Sequence, residues 1–182
     1  MERPRKIAFV GTSCVGKTTL LEACKKKFSS DPTVAFIEEA ARAFFSANPD
    51  VSDRFSEKTQ EKVQALALEN EVKAQNGATR LIFCDRSVID AVAYVRSQGN
   101  LEGSQNLLNK VLFWLPTYDA LLLLDPHDVP YRTDDIRQEN EETRQQFHNA
   151  FIEVFEGAKI PYTLLSGTIE ERLQTIQDVV GS

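Results

Sequence analysis

Cysteine is scarce in this chain of 182 residues: Cys14, Cys24 and Cys84 are odd in number and form no CxxC pair, so neither a disulfide framework nor a zinc site is expected. That usage fits a reducing cytosol. Glycine and proline are few, at 8 and 7, and with 42% hydrophobic and 26% charged residues the composition excludes collagenous, low-complexity and disordered classes. Long hydrophobic runs are missing too. The opening MERPRKIAFVG sets positive charge before a short apolar run, Ile7 to Val10, far below the length of a signal-peptide core or a membrane span. Positive charge is in deficit, with 21 Lys and Arg against 27 Asp and Glu, a net charge of -6 and a pI near 5.1. An acidic body repels nucleic acid and anionic membrane, so neither is expected as a partner and any phosphate binding has to be local.

What is present is an alternation of short apolar runs with helical periodicity, the pattern of a parallel sheet with crossover helices. Strands are predicted at 7–10, 34–37, 81–84, 120–124 and 161–165, apolar on consecutive positions as strands covered on both faces should be. Helices are predicted at 17–28, 39–47, 57–76, 88–97, 104–114, 140–157 and 168–180. The whole chain, 1–182, reads as one α/β domain with no internal repeat and no linker, long enough to bury a core without staples.

The first strand runs into Gly11-Thr12-Ser13-Cys14-Val15-Gly16-Lys17-Thr18-Thr19, which fills the GxxxxGK(S/T) phosphate loop in the required strand-loop-helix context. Its glycines let successive N–H groups converge on phosphate oxygens at a helix N-terminus. Lys17 is expected to reach the β- and γ-phosphates, and the Thr18 hydroxyl a magnesium ion. The third strand ends in Asp85-Arg86-Ser87, a carboxylate for the metal and a guanidinium for phosphate, although Asp85 or Ser87 would also serve as a plain helix cap.

The second strand ends in Glu38-Glu39-Ala40-Ala41-Arg42, two carboxylates at the same rim and an arginine one turn later. Phosphoryl transfer to a hydroxyl needs a carboxylate to orient or accept its proton, and Glu39 is the choice over Glu38. The bland alternative is that both glutamates favour the following helix N-terminus and Arg42 makes a surface pair. After the fourth strand, 125–135 resists a regular assignment, and the lid is expected over about 125–140. With Arg132, Arg137 and, further on, Arg144, it reads as a lid that brings guanidinium charge to the transferred phosphoryl, Arg137 ranking first.

Other residues read more plainly. His127 and His148 are expected at the surface, Phe44, Phe45, Phe113, Trp114 and Tyr118 mostly in the core, and Gln60 and Gln64 on the solvent face of the long helix.

On GTSCVGKTT, EEAAR, CDRSVIDAVAY and VPYRTDDIR with Arg144 after it, the chain resembles the P-loop kinases of small molecules, the nucleoside and nucleoside-monophosphate kinase group. Within that group it is similar to the NadR-like, or AAA_28, subgroup, which includes the nicotinamide-riboside kinase domain. The resemblance implies a three-layer P-loop fold with a five-stranded parallel sheet in order 2-3-1-4-5 and a lid after the fourth strand. It also implies ATP, or alternatively GTP, with Mg2+ and a nucleoside-like small-molecule acceptor. Asp85 would lie near magnesium, Arg86 on substrate or phosphate, the second-strand glutamate near the acceptor hydroxyl, and lid arginines on the phosphoryl group. Related kinases contact adenine at the turn that here reads Ser166-Gly167-Thr168, a turn that serves equally as the cap of the last helix.

The main expectation is therefore an ATP- and magnesium-dependent kinase of a nucleoside-like hydroxyl or monophosphate, cytoplasmic, with a homodimer left open. A regulatory ATPase without an acceptor is the alternative, since the phosphate and magnesium motifs serve both. A switch GTPase is disfavoured: Asp178-Val179-Val180-Gly181 has the DxxG spacing at the wrong end, and Asn109-Lys110-Val111-Leu112 lacks the aspartate of NKxD. A polynucleotide-end kinase would need a basic channel.

Overall fold

The computed structural model describes residues 3–77, 80–128 and 141–181. Five parallel strands, β1 (Arg5–Val10), β2 (Val34–Ile37), β3 (Leu81–Asp85), β4 (Ala120–Leu124) and β5 (Thr163–Leu165), form one sheet in the order β2-β3-β1-β4-β5. Side chains alternate across it with period two, which splits the apolar runs between two cores. Ala8, Val10, Ile82, Cys84, Leu121 and Leu123 face one layer of helices, whereas Ile7, Phe9, Leu81, Phe83, Leu122 and Leu124 face the other. Burial on both faces is why the central strands carry unbroken apolar runs, Ile7 to Val10, Leu81 to Cys84 and Leu121 to Leu124. The edge strand β5 departs from the expected 161–165: it spans only Thr163–Leu165, and Thr163 and Leu164 are exposed. Phe83 anchors the second core, with the rings of Phe9, Phe28 and Phe36 at 6.0, 5.6 and 5.4 Å.

On that second face lie α1 (Lys17–Lys27) and α7 (Ile169–Gly181), and on the first α4 (Val88–Ser97), α5 (Leu101–Val111) and α6 (Glu141–Gly157). The remaining pair, α2 (Ala40–Ala47) and α3 (Glu57–Gly77), packs together beside β2 and α4. All five strands run the same way, so the segments leaving them meet at one rim of the sheet, where an open α/β fold binds its ligands.

Several expectations need correction. Helix α5 begins at Leu101 instead of 104, because the Asn100 side chain accepts from the Gly103 amide at 2.8 Å and caps the helix earlier; it ends at Val111, before a 3-10 turn at Leu115–Thr117. Helix α3 buries polar residues expected on its solvent face. Val72 is exposed, while Gln60, Gln64 and Glu71, a polar row at helical spacing, are buried along with Val63. His148 is buried and only His127 is exposed, and Phe113 is exposed at 67%, outside the core. The proposed lid falls largely on 129–140, outside the described residues, as do Arg132 and Arg137.

Candidate active site

Between β1 and α1 the chain curls through Gly11, at φ 132°, and Gly16, at φ 90°, backbone angles that a side chain rarely tolerates. A Cβ on Gly11 would meet the Leu124 carbonyl oxygen only at ordinary contact distance, 3.4 Å, so the backbone angle is the constraint there. The loop's carbonyls are held by named donors. Lys17 Nζ donates to the carbonyls of Gly11, at 2.9 Å, and Thr12. Arg86 Nη1 donates to Gly11 at 3.0 Å, Arg144 Nη1 to Cys14 at 3.5 Å, and Arg172 Nη1 to Val15 at 3.0 Å. The loop stands at the N-terminus of α1, where a nest of amides would receive phosphate.

Within this nest Lys17 is buried, and burial, reinforced by the nearby Arg86 guanidinium, pushes its ammonium down to about 7. Thr12 and Ser13 are also buried, Cys14 and Gly16 are half-buried, Val15 packs into the second core, and Thr18 and Thr19 are exposed on the first turn of α1.

Arg86 organises the adjoining side of the rim. It sits at φ 76°, a left-handed conformation unusual for a bulky residue, and its amide donates to the Phe9 carbonyl at 3.0 Å. From there Nε reaches Glu39 at 2.6 Å, and Nη1 reaches Asp90 at 2.9 Å and the Tyr94 hydroxyl at 2.8 Å. Asp90 completes a capping box with Ser87 at the start of α4, so the cap fixes the carboxylate that fixes the arginine.

Of the two second-strand glutamates, Glu39 turns inward to Arg86, while Glu38 is 72% exposed and meets Lys25 at 2.5 Å. Arg42 lies outside the cleft at 67% exposure, 3.8 Å from Glu39, as a surface pair would. Asp85 is buried at the end of β3. Burial raises its carboxyl above the usual range, with Lys17 the largest opposing influence. Its Oδ1 has no hydrogen-bond partner among the described residues, the state of an acceptor suited to a cation. No cluster of three or more His, Cys, Asp or Glu forms a metal cage among those residues, but magnesium bound through phosphates asks for only one or two protein oxygens. Asp85 and Thr18 fit that requirement.

A cleft between α2, α3 and α4 opens onto this group and is lined by Gln60, Gln64, Asp85, Arg86, Asp90 and Tyr94. The two glutamines, expected at the surface, are buried and anchored: Gln60 Nε2 donates to the Arg54 carbonyl at 2.6 Å, and Gln64 Nε2 to those of Val88 and Leu107 at 2.9 and 3.3 Å. Only the spacing Gln60, Gln64, Ala67, Glu71, one helix face, could have signalled this.

Sequence reasoning missed Arg172 altogether. Buried on α7, it donates from Nε to the Gly167 carbonyl at 3.0 Å and from Nη2 to the Asp125 carbonyl at 3.1 Å and Asp128 Oδ2 at 3.3 Å, besides its bond to Val15. A lone arginine in an amphipathic helix carries no motif.

Comparison with known proteins agrees with this architecture. A NadR protein in complex with NAD and AMP-PNP superposes with a TM-score of 0.77 at 17% identity, over 98% of this chain and 50% of that one, and the same holds for a NadR protein in complex with NR. This chain thus spans half the length of those structures. Thymidylate kinase from Candida albicans gives 0.69 at 18% identity over 98% of this chain and 92% of that one. Deoxyadenosine kinase from M. mycoides gives 0.60 at 16%, over 97% and 98%. At such identities the likeness is one of fold, the P-loop fold of nucleoside and nucleotide kinases. No curated protein sequence matches. The AAA_28 family model, an AAA domain, matches residues 6–172, and the chain belongs to that family.

Proposed function

We propose that the protein is an ATP- and magnesium-dependent kinase that transfers a phosphoryl group to a hydroxyl or monophosphate of a nucleoside-like small molecule. The observation that carries this reading is the Arg86 bridge. One guanidinium holds Glu39 at 2.6 Å and the phosphate-loop carbonyl of Gly11 at 3.0 Å, coupling an acceptor-side carboxylate to the donor site.

In this scheme the loop amides and Lys17 hold the triphosphate, and Asp85 with Thr18 would hold the magnesium ion, which neutralises charge on the phosphates. The acceptor oxygen attacks the γ-phosphorus, the bond to the bridging oxygen breaks with its electron pair leaving on ADP, and the acceptor proton passes to the Glu39 carboxylate. Arg86 keeps that carboxylate aimed. Arg144, buried and within reach of the loop at Cys14, and Arg137 in the expected lid are assigned to the charge that develops on the phosphoryl oxygens.

A regulatory ATPase has one observation in its favour: the cleft holds only about 30 Å3, room for a water and not for a nucleoside. Phosphoryl transfer from ATP-magnesium to a panel of nucleosides, nicotinamide riboside and nucleoside monophosphates decides between the two, with Lys17→Ala as control. A phosphorylated acceptor that requires Lys17 is the expected result. ATP hydrolysis that no panel member alters would establish the ATPase instead.

A further inference from the structure

The first turn of α4 is held by more than its cap. The capping box serves the amides of Ser87, at 2.8 Å to Asp90 Oδ2, and Ile89, at 3.1 Å to Ser87 Oγ. It leaves the amide of Val88, one of the N–H groups that a helix start cannot pair within itself. That amide donates to the Tyr118 hydroxyl at 3.2 Å, and the Val88 carbonyl accepts from Gln64 Nε2 at 2.9 Å. Tyr118 follows the 3-10 turn before β4 and does not itself line the cleft. Its hydroxyl donates to Glu71 Oε1 at 2.5 Å. The other carboxylate oxygen, Oε2, takes Lys6 Nζ and Trp114 Nε1, each at 2.7 Å, so Oε1 is left to the tyrosine. A hydroxyl that donates to a carboxylate becomes a better acceptor, so the bonds from Val88 to Tyr118 and on to Glu71 strengthen each other.

Two residues before Val88 stands Arg86, left-handed at φ 76°. A bulky residue keeps such a conformation only where its surroundings over-determine it. On one side of the turn the Arg86 amide is tied to the Phe9 carbonyl at 3.0 Å, and on the other Val88 is tied at both of its polar groups. We propose, on the roles given to Arg86 and Glu39 above, that Tyr118 is a positioning residue for phosphoryl transfer. Through the Val88 amide it holds the turn that aims the Arg86 guanidinium at Glu39 and at the Gly11 carbonyl. Glu71 stands behind it as the anchor of the hydroxyl. Trp114 is the internal comparison: it donates to the same carboxylate and, with its single indole N–H spent there, has nothing to offer the Val88 amide.

The test compares Tyr118→Phe with Trp114→Phe in the full chain, since each keeps an aromatic ring and removes one donor to Glu71. The first readout needs no acceptor: the Arg86 Nε–H resonance in proton–nitrogen NMR, which the 2.6 Å bond to Glu39 protects from exchange with water. It is expected to be sharp in wild type and Trp114→Phe and lost to exchange in Tyr118→Phe. The second readout is steady-state phosphoryl transfer. There Tyr118→Phe is expected to lower kcat about ten- to hundredfold, as misplacement from outside the site can, with KM for ATP within about twofold, and Trp114→Phe to leave both unchanged. Equal losses of kcat in the two variants would make the network a matter of stability alone and overturn the proposal. So would an unaltered Arg86 signal or an unaltered kcat in Tyr118→Phe. Should that variant not fold, wild type decides: the Val88 amide is expected to exchange as slowly as those in the middle of α4, and exchange at the rate of an unpaired first-turn amide refutes its bond to Tyr118. If wild type phosphorylates no acceptor, the kinase reading fails by itself, and the Arg86 resonance still decides whether Tyr118 aims the guanidinium.

Discussion

Arg86 and Glu39 form an ion pair at 2.6 Å in which both side chains are about nine-tenths buried, at 8% and 10% exposure. Removing two charges from water is costly, and such a pair persists where each partner is further satisfied. Arg86 meets that condition through Asp90, Tyr94 and Gly11. The pair therefore fixes the position of the Glu39 carboxylate. Glu39→Gln is expected to lower kcat by about 10^2 to 10^4, the range for loss of a general base, with nucleotide affinity retained. Glu38→Gln, whose side chain is turned to Lys25 and solvent, is expected to leave kcat within about twofold, as for an exposed position. Steady-state kinetics on the two variants checks both, and equal losses would remove Glu39 from its role.

Asp85 illustrates the opposing demands of stability and function. Its carboxyl is raised by burial, so the folded chain binds a proton more tightly than the unfolded one. Unfolding stability therefore falls as pH rises from the ordinary carboxylate range through the folded value, and the destabilisation is fully present above it. Asp85→Asn abolishes that cost and is expected to raise Tm in the absence of nucleotide by a few degrees, with about 1 kcal/mol corresponding to roughly 2–4 °C at this size. The same variant is expected to lose the magnesium dependence of nucleotide binding. Thermal melts with and without magnesium and nucleotide test it, and a lower Tm in their absence would contradict the account.

Lys6 and Glu71 make a second buried pair, at 2.7 Å and 1% and 2% exposure. Glu71 also accepts from the Trp114 indole at 2.7 Å and the Tyr118 hydroxyl at 2.5 Å, and the Lys6 ammonium lies over both rings at 4.2 and 4.4 Å. Deleting one partner strands the other charge. Glu71→Ala is expected to cost about 3–5 kcal/mol in urea unfolding, whereas Lys6→Met with Glu71→Leu recovers most of it. Trp114, the chain's one tryptophan, reports the transition by fluorescence.

Much of the architecture is legible from residue type because burial on both faces demands unbroken apolar runs, so β2 and β4 lie at their expected bounds and α4 as well. The tight turn between β1 and α1 is legible because its glycines take φ 132° and 90°, angles that side chains rarely tolerate. What is not legible depends on tertiary partners. Gln60, Gln64 and Glu71 look like solvated helix positions until a neighbouring carbonyl, lysine or indole is brought to them. Arg172 is the extreme case: its four acceptors come from segments up to 157 positions away in the chain, which no local pattern encodes.

Lys17 gives the site a pH dependence of definite sign. Its ordinary value is 10.5, and burial takes it to about 7 in the protein without nucleotide. Between those limits the unfolded chain holds a proton that the folded chain lacks, so this lysine's contribution to stability rises with pH from about 7 towards 10.5. Phosphate binding acts in the opposite sense, because the ammonium and not the amine is drawn to the triphosphate. Above about pH 7, nucleotide binding must then be coupled to proton uptake, and affinity should weaken as pH climbs, by up to about tenfold per unit. Calorimetry at pH 8 in buffers of different ionisation enthalpy measures the proton count directly. A value near one is expected for wild type and near zero for any residual binding by Lys17→Met. Proton release on binding, or an equal count in the two proteins, would show that Lys17 is already charged in the ligand-free site.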